Sequence, residues 1–225
     1  MATSKPSVNI KGRLSFPRFT MQEALDHNAM NTKFKKDPAN VTPSFGLLLE
    51  EEQLNKVIAH LTEEFIPMAE ARYNADADAK NVLRPKDSKK IIASLEARDF
   101  ADQPPYIPLK PVGEKTLELM PSALALLQIN GVKGQDVTQL AIVRGEDGLR
   151  VPDPDLLTYP VLKPIAETVH DLYPGCMAVA TVEFYGYPQS PYYGINAQAS
   201  ACSFHSDAPR FGGAVEVDSD IVFMD

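Results

Sequence analysis

The densest group of chemically distinctive side chains in this sequence is aromatic. Four of the eight tyrosines, Tyr185, Tyr187, Tyr192 and Tyr193, fall within residues 182–197, VEFYGYPQSPYYGINA, and the chain has no tryptophan. Prolines and glycines separate these rings. A ring held on a wet surface can stack on another flat ring. Single-stranded nucleic acid offers one π-face per base, at roughly 1–3 kcal/mol for each stacked base. A second motif, NTKFKK, places Lys33, Lys35 and Lys36 around Phe34. That mixture suits phosphates and bases together, and it reads equally as an ordinary solvated loop. Arg144 and Arg150 flank a turn, and Arg13 and Arg18 lie in or beside the first strand-like segment.

Other chemistries leave no pattern. His27, His60, His170 and His205 share no ligand spacing with a cysteine or carboxylate, which argues against a zinc site. GVKGQD has two glycines but lacks the Lys-Ser/Thr of a phosphate-binding loop, and no Gly-x-Ser-x-Gly elbow occurs. No feature points to an enzyme. Cys176 and Cys202 are too few for a disulfide framework and read as free thiols of a reducing cytoplasm. No apolar run approaches the roughly 20 residues that span a bilayer, and MATSKPSVNIKGR has no secretory core.

The formal net charge is -8, but the charge is segregated. Residues 1–45 carry seven cations against three anions, residues 46–80 carry eight anions against three cations, and the last ten residues add four acids and no base. Net acidity therefore does not exclude a basic groove.

The coarse pattern is strand, strand, helix, then several strands. SVNIKGRLSF alternates apolar and polar residues, and TPSFGLLLEE reads as a second strand. Leu54, Val57, Ile58, Leu61, Phe65 and Met68 form one apolar helical stripe behind Glu50, Glu51 and Glu52. His60 falls on the polar side of that stripe, and Pro67 should kink or shorten the helix. Residues 80–121 look loop-rich, with a basic cluster of Lys80, Arg84, Lys86, Lys89 and Lys90. Short apolar runs over 123–129 and 140–143 are followed by turn signals. CMAVATVEFYGY and YYGINAQASACSF form a hairpin. This order favours a small all-β barrel with one packed helix.

Side chains alternate across a strand. Cys176, Ala178, Ala180, Val182 and Phe184 make one apolar face, and Tyr193, Ile195, Ala197, Ala199 and Ala201 make its counterpart. Phe184 and Tyr193 are then expected inward. Tyr185, Tyr187 and Tyr192 should share the outer face with Asn196, Gln198 and the less compatible Glu183. Cys176 and Cys202 fall on opposite faces. Parity leaves two readings of the outer rings: packing against a loop such as residues 104–111 or a second subunit, or stacking on bases.

KGRLSFPRF, PSFGLLLEEEQ and LYPGCMAVATVEFYGYPQSPYYGINAQASACSFHSDAPRFGG together resemble the phage-encoded single-stranded DNA-binding proteins of the OB-fold type. The family's Arg-Leu-Ser-aromatic motif is matched by residues 13–16. Its later pattern is matched by Gly175-Cys176, the aromatics of 184–187, Gly194-Ile195 and Gly212-Gly213. The two ends of the chain match well, and residues 75–170 only in their general run of strands and turns.

The resemblance implies an OB fold, a five-stranded Greek-key barrel with long loops and extra strands, over residues 1–213. An acidic tail, residues 214–225, follows; it is shorter than the family's and ends in Phe-Met-Asp. The resemblance also implies sequence-independent coating of single-stranded DNA in phage replication or recombination, in the cytoplasm of the infected host, with no reaction and no cofactor. The backbone would be tracked by Arg13, Lys33, Lys35, Lys36, Arg144 and Arg150. Bases would stack on Phe34, Tyr185, Tyr187 and Tyr192. Replication or recombination proteins would dock on the tail through Asp218, Asp220, Phe223 and Asp225. The alternative is a phage assembly component whose tyrosine hairpin is a protein–protein contact.

Overall fold

In the computed structural model, which describes residues 7–32, 35–100, 104–140, 143–144, 150–151, 172–188 and 193–211, the alternating N-terminal segment becomes a single bent strand. The elements in order are β1 (Ser7–Arg18), α1 (Met21–Met30), β2 (Ser44–Leu49), α2 (Glu51–Ala59), a π-helical turn (His60–Phe65), α3 (Ile66–Ala75), α4 (Pro85–Glu96), β3 (Leu109–Lys110), α5 (Glu114–Leu119), β4 (Ala125–Asn130), β5 (Thr138–Leu140), β6 (Val143–Arg144), β7 (Arg150–Val151), β8 (Met177–Tyr187), β9 (Gly194–Gln198) and β10 (Ala201–Ser206).

Five of these strands close a barrel. β1 pairs antiparallel with β8 over Ser7 to Arg13 and with β2 over Arg13 to Arg18. β2 pairs antiparallel with β4, β4 runs parallel to β9 at Ile129↔Ala197, and β9 returns antiparallel to β8. This ring is an OB-fold barrel. Gly12 lies where β1 passes from one partner to the other. A Cβ there would stand 2.6 Å from the Leu48 carbonyl oxygen and 3.0 Å from the Leu47 Cβ, so the crossing has no room for a side chain. Beyond the ring, β3 extends the free edge of β4, β10 lies along β8, and β5 runs parallel to β10.

The barrel interior is apolar. Ile10, Leu14, Leu47, Leu127, Val182, Phe184 and Ile195 are fully buried. The helix stripe packs on this core through Leu54, Val57, Leu61 and Phe65, with the Phe65 and Phe184 rings 6.2 Å apart.

The helical content exceeds the one helix expected. The region read as loop-rich holds α4, which Pro85 starts and which buries Ile91 and Leu95, and α5. The stripe helix also continues to Ala75. Pro67 sits in the first turn of α3, where its missing N–H is tolerated, directly after the π-helical turn. His60, the first residue of that turn, does not lie on a solvent-facing side of the helix as expected. His60 is 5% exposed, 5.6 Å from the Phe184 ring centroid, with Nδ1 3.2 Å from Glu64.

The C-terminal hairpin corrects a second expectation. Partners run from Tyr187↔Gly194 to Glu183↔Gln198, then resume at Ala180↔Cys202. One residue has been inserted on the return strand, which inverts its faces. Ala199 N–H donates to the Asn130 carbonyl, and Ser200 accepts from Thr138 N–H, so this bend is tied to the neighbouring strands. Cys202 therefore points inward and joins the same buried cluster as Cys176. Burial pushes both thiols up from their ordinary values. Native protein at pH 8 is expected to leave both thiols unreacted with a disulfide reagent over minutes, and guanidinium unfolding should release two equivalents. One fast equivalent in the native state would contradict this burial.

Candidate nucleic-acid interface

The polar face of the barrel is written in the alternate residues of its strands. Outside β2 and β4 these are Ser44, Gly46, Gln128 and Asn130, and the registers set Ser44 opposite Asn130 and Gly46 opposite Gln128. The row continues through Asn130↔Gln198 onto β9 and Asn196↔Tyr185 onto β8. Two depressions lie along its β1 side. One, of about 110 Å³, is lined by Phe16, Arg18, Ser44, Gly46 and Gln128. The other, of about 200 Å³, is lined by Arg18, His27, Lys36, Ser44, Gln128 and Asn130. Arg18, Ser44 and Gln128 belong to both, so the two form one groove.

Local chemistry fixes the cations in that groove. Arg18 Nη1 donates to Ser44 Oγ at 3.3 Å, and partial desolvation draws its guanidinium below the ordinary value. Thr20 and Glu23 form a capping box that starts α1 immediately after β1. The last turn of α1 presents Asn28, whose side chain accepts from Lys36 N–H at 2.8 Å and donates to the Lys36 carbonyl at 2.9 Å. This reciprocal clamp holds Lys36 beside Arg18 while its side chain stays exposed.

The other end of the face is aromatic. Tyr185 and Tyr187 lie on the outer side of β8, as parity predicts, and both are half-buried. The Tyr185 hydroxyl hydrogen-bonds Asn196 and Asn130, which ties it to the polar row. Burial, with Tyr185 and Tyr106 nearby, pushes Tyr187 up to about 12. Tyr106 reaches this site because its segment lies against β9: Tyr106 N–H donates to the Tyr193 carbonyl at 3.1 Å, and Ile195 N–H donates to the Tyr106 carbonyl at 2.8 Å. Residues 104–111 thus do pack beside the hairpin, one of the two readings that parity left open. That packing brings Tyr106 near Tyr187.

Cations rim these rings. Lys110 Nζ stands 6.0 Å from the Tyr106 centroid, and Arg84 and Lys90 each stand 5.9 Å from that of Tyr193. Tyr193 is therefore half-buried under α4 and its N-cap, not in the barrel with Phe184. Glu183 lines a separate depression with Thr181, Gln198 and Ser200 and marks the acidic limit of the face.

Arg13 departs from its expected role. It is 8% exposed, its Nε donates to the Gly175 carbonyl at 2.9 Å, its Nη2 donates to the Pro209 carbonyl, and its guanidinium lies 4.1 Å from the Phe211 centroid. Its position on β1, one residue out of phase with Gly12 and Leu14, turns it to the flanks of β8 and β10. Arg144 and Arg150 pair with each other across β6–β7, a two-stranded ladder separate from the barrel sheet. Lys35 is exposed on the loop before Lys36. Lys33, Phe34, Tyr192, Asp218, Asp220, Phe223 and Asp225 lie outside the described residues.

Gln128 and Asn130 were missed, although their alternation within ALLQIN marks an outward polar face. Tyr106 and Lys110 carry no comparable local signal, since a contact with Gly194 far along the chain places them. Among the described residues, no group of three or more His, Cys, Asp or Glu is arranged to hold a metal ion, and no helix is long and apolar enough to cross a membrane.

An OB barrel with a cation-lined groove along β1, β2 and β4 and a tyrosine cluster on β8 is the class of molecule this geometry defines. No family model matches the chain, and no curated protein matches it in sequence. Among solved structures, the single-stranded DNA-binding protein from bacteriophage Enc34 is similar over 98% of this chain and 96% of that chain, at 14% identity and a TM-score of 0.48. The Enc34 protein in complex with single-stranded DNA is similar over 94% and 97%, at 14% identity and a TM-score of 0.39. A single-stranded DNA-binding protein encoded by bacteriophage T7 is similar over 99% and 100%, at 11% identity and a TM-score of 0.43.

Proposed function

We propose that this chain is a sequence-independent, non-enzymatic single-stranded DNA-binding protein of a bacteriophage, acting in DNA replication or recombination in the cytoplasm of the infected host. The observation that carries the reading is the groove itself. Arg18 and Lys36 lie at one end of the OB ligand face, Tyr185, Tyr187 and Tyr106 at the other, and hydrogen-bonding amides lie between. Cations follow a phosphate backbone, and half-buried rings stack on bases that are not paired. A duplex hides its base faces and forgoes that second contribution. The amides accept and donate without matching any one base, which suits binding of every sequence. The tail residues Asp218, Asp220, Phe223 and Asp225 are assigned to replication or recombination partners on the family resemblance.

The test is a fluorescence titration of labelled oligo-dT and of duplex at two salt concentrations. Oligo-dT should bind more tightly, and log affinity should fall against log salt with a slope near -0.7 for each phosphate neutralised. Tyr187→Ala should weaken oligo-dT binding about tenfold with the fold intact. No binding at low salt would sink the reading and leave the hairpin as a protein contact. An unchanged affinity for Tyr187→Ala would remove the tyrosine platform from it.

A further inference from the structure

We propose that Phe16 is a second base-stacking platform, at the far end of the groove from the tyrosines, and that the apolar cavity beside it shelters a nucleobase of the bound strand. The inference rests on the DNA-binding reading above and extends its track.

Among the described residues, Phe16 is an aromatic residue whose placement packing does not explain. Its ring is 70% exposed, and its φ is 45°, in the left-handed region that bulky residues rarely occupy. It sits at an irregularity in β1, where partners shift from Ser15↔Gly46 to Arg18↔Ser44. Such a bulge re-aims a side chain. Here it turns a phenylalanine out of the barrel at a conformational cost that no burial offsets. A strained, exposed ring on a ligand face is a reason to look for a ligand.

Its surroundings specify the ligand chemistry. On one side Phe16 lines the polar depression with Arg18, Ser44 and Gln128. On the other it lines a cavity of about 320 Å³ with Lys115, Leu119, Pro174 and Phe211. Leu119 is itself 56% exposed. The ring therefore stands between a cation-bearing groove and an apolar cavity with a second cation, Lys115, at its edge. A nucleotide matches both halves: phosphate toward Arg18 and Lys115, base against Phe16 and the apolar wall. Four strand spacings separate β8 from β1 around this face, about 19 Å, so one strand of DNA can touch both platforms.

The absence of tryptophan makes the test direct. In Phe16→Trp the new indole is the sole tryptophan, and oligo-dT should quench its emission on binding. Phe16→Gly should weaken oligo-dT binding about tenfold while its melting temperature stays level or rises, because glycine accepts a positive φ. Absence of quenching, or an unchanged affinity of Phe16→Gly, overturns the proposal while wild-type binding of oligo-dT keeps the functional reading. Failure of the wild-type chain to bind oligo-dT overturns both.

Discussion

Gly194→Ala is expected to lower the unfolding free energy by about 3 kcal/mol and to weaken oligo-dT binding at least tenfold. A Cβ on Gly194 would fall well inside van der Waals contact of the Tyr106 carbonyl oxygen, 2.8 Å from the carbonyl carbon and 2.9 Å from the Tyr106 nitrogen. All three are backbone atoms and have no rotamer in which to retreat. Either residues 106–110 lift away or the start of β9 moves. Lifting breaks the hydrogen bonds from Tyr106 N–H to Tyr193 and from Ile195 N–H to Tyr106, at about 1 kcal/mol each, with overpacking strain of about 1–3 kcal/mol as the competing cost. In the first case Tyr106 leaves Tyr187 and takes Lys110 with it, and in the second the start of β9, which pairs with Tyr187, is displaced. The loss of affinity should therefore exceed the effect of removing one ring. Urea unfolding and oligo-dT titration of the same preparation measure both numbers. An unchanged urea midpoint would show that the two segments are less closely engaged than described.

This coupling explains which parts of the molecule could be read from sequence. Where burial obeys one period, residue order is sufficient. The alternation of β8 places Phe184 inside and Tyr185 and Tyr187 outside, and the stripe from Leu54 to Phe65 finds the main helix. Periodicity fails wherever one residue is inserted. The extra residue between β9 and β10 reverses Cys202. No glycine or proline announces that insertion at Ala199-Ser200. It is set by tertiary partners, Asn130 and Thr138. The site was legible as a composition of tyrosines and cations but not as a constellation. Arg18, Lys36, Gln128 and Tyr106 come from four separate stretches of chain, and only closure of the barrel brings them to one face.

The half-burial of the tyrosines also bears on how such a face would bind. Tyr185 is held by Asn196 and Asn130, and Tyr187 is flanked by Tyr106. Rings already fixed in place lose little rotamer freedom when a base stacks on them, so more of the stacking energy appears as affinity. The same packing limits how many ring faces are available. On the proposed DNA-binding reading, contacts to Asn130, Gln128 and Ser44 would span the stretch between Tyr187 and Arg18. Glu183 lies outside that path, on the β10 side of Gln198, where its charge opposes a strand that strays from the groove.

Arg13→Ala is expected to cost about 3–4 kcal/mol of stability while leaving DNA affinity within about twofold. Arg13 Nε donates to the Gly175 carbonyl and Nη2 to the Pro209 carbonyl, so one side chain joins the turn before β8 to the segment after β10. Tyr173 reinforces the junction, donating to the Ala208 carbonyl at 2.9 Å and accepting from Ala208 N–H at 3.0 Å. Hydrogen bonds to a charged group contribute about 1.5–3 kcal/mol each, and truncation leaves two carbonyls without their donor. Stacking on Phe211 adds a further, smaller loss. Arg13→Lys should rescue little, because a single ammonium cannot reproduce the guanidinium fork. For a chain of this length the melting temperature should fall by about 6–16 °C. Oligo-dT binding measured well below that transition separates the two roles open to this residue. A Tm loss with preserved affinity makes the Arg-Leu-Ser-aromatic motif a folding staple at its first position. Lost affinity in a variant of native stability would instead return Arg13 to the DNA contacts.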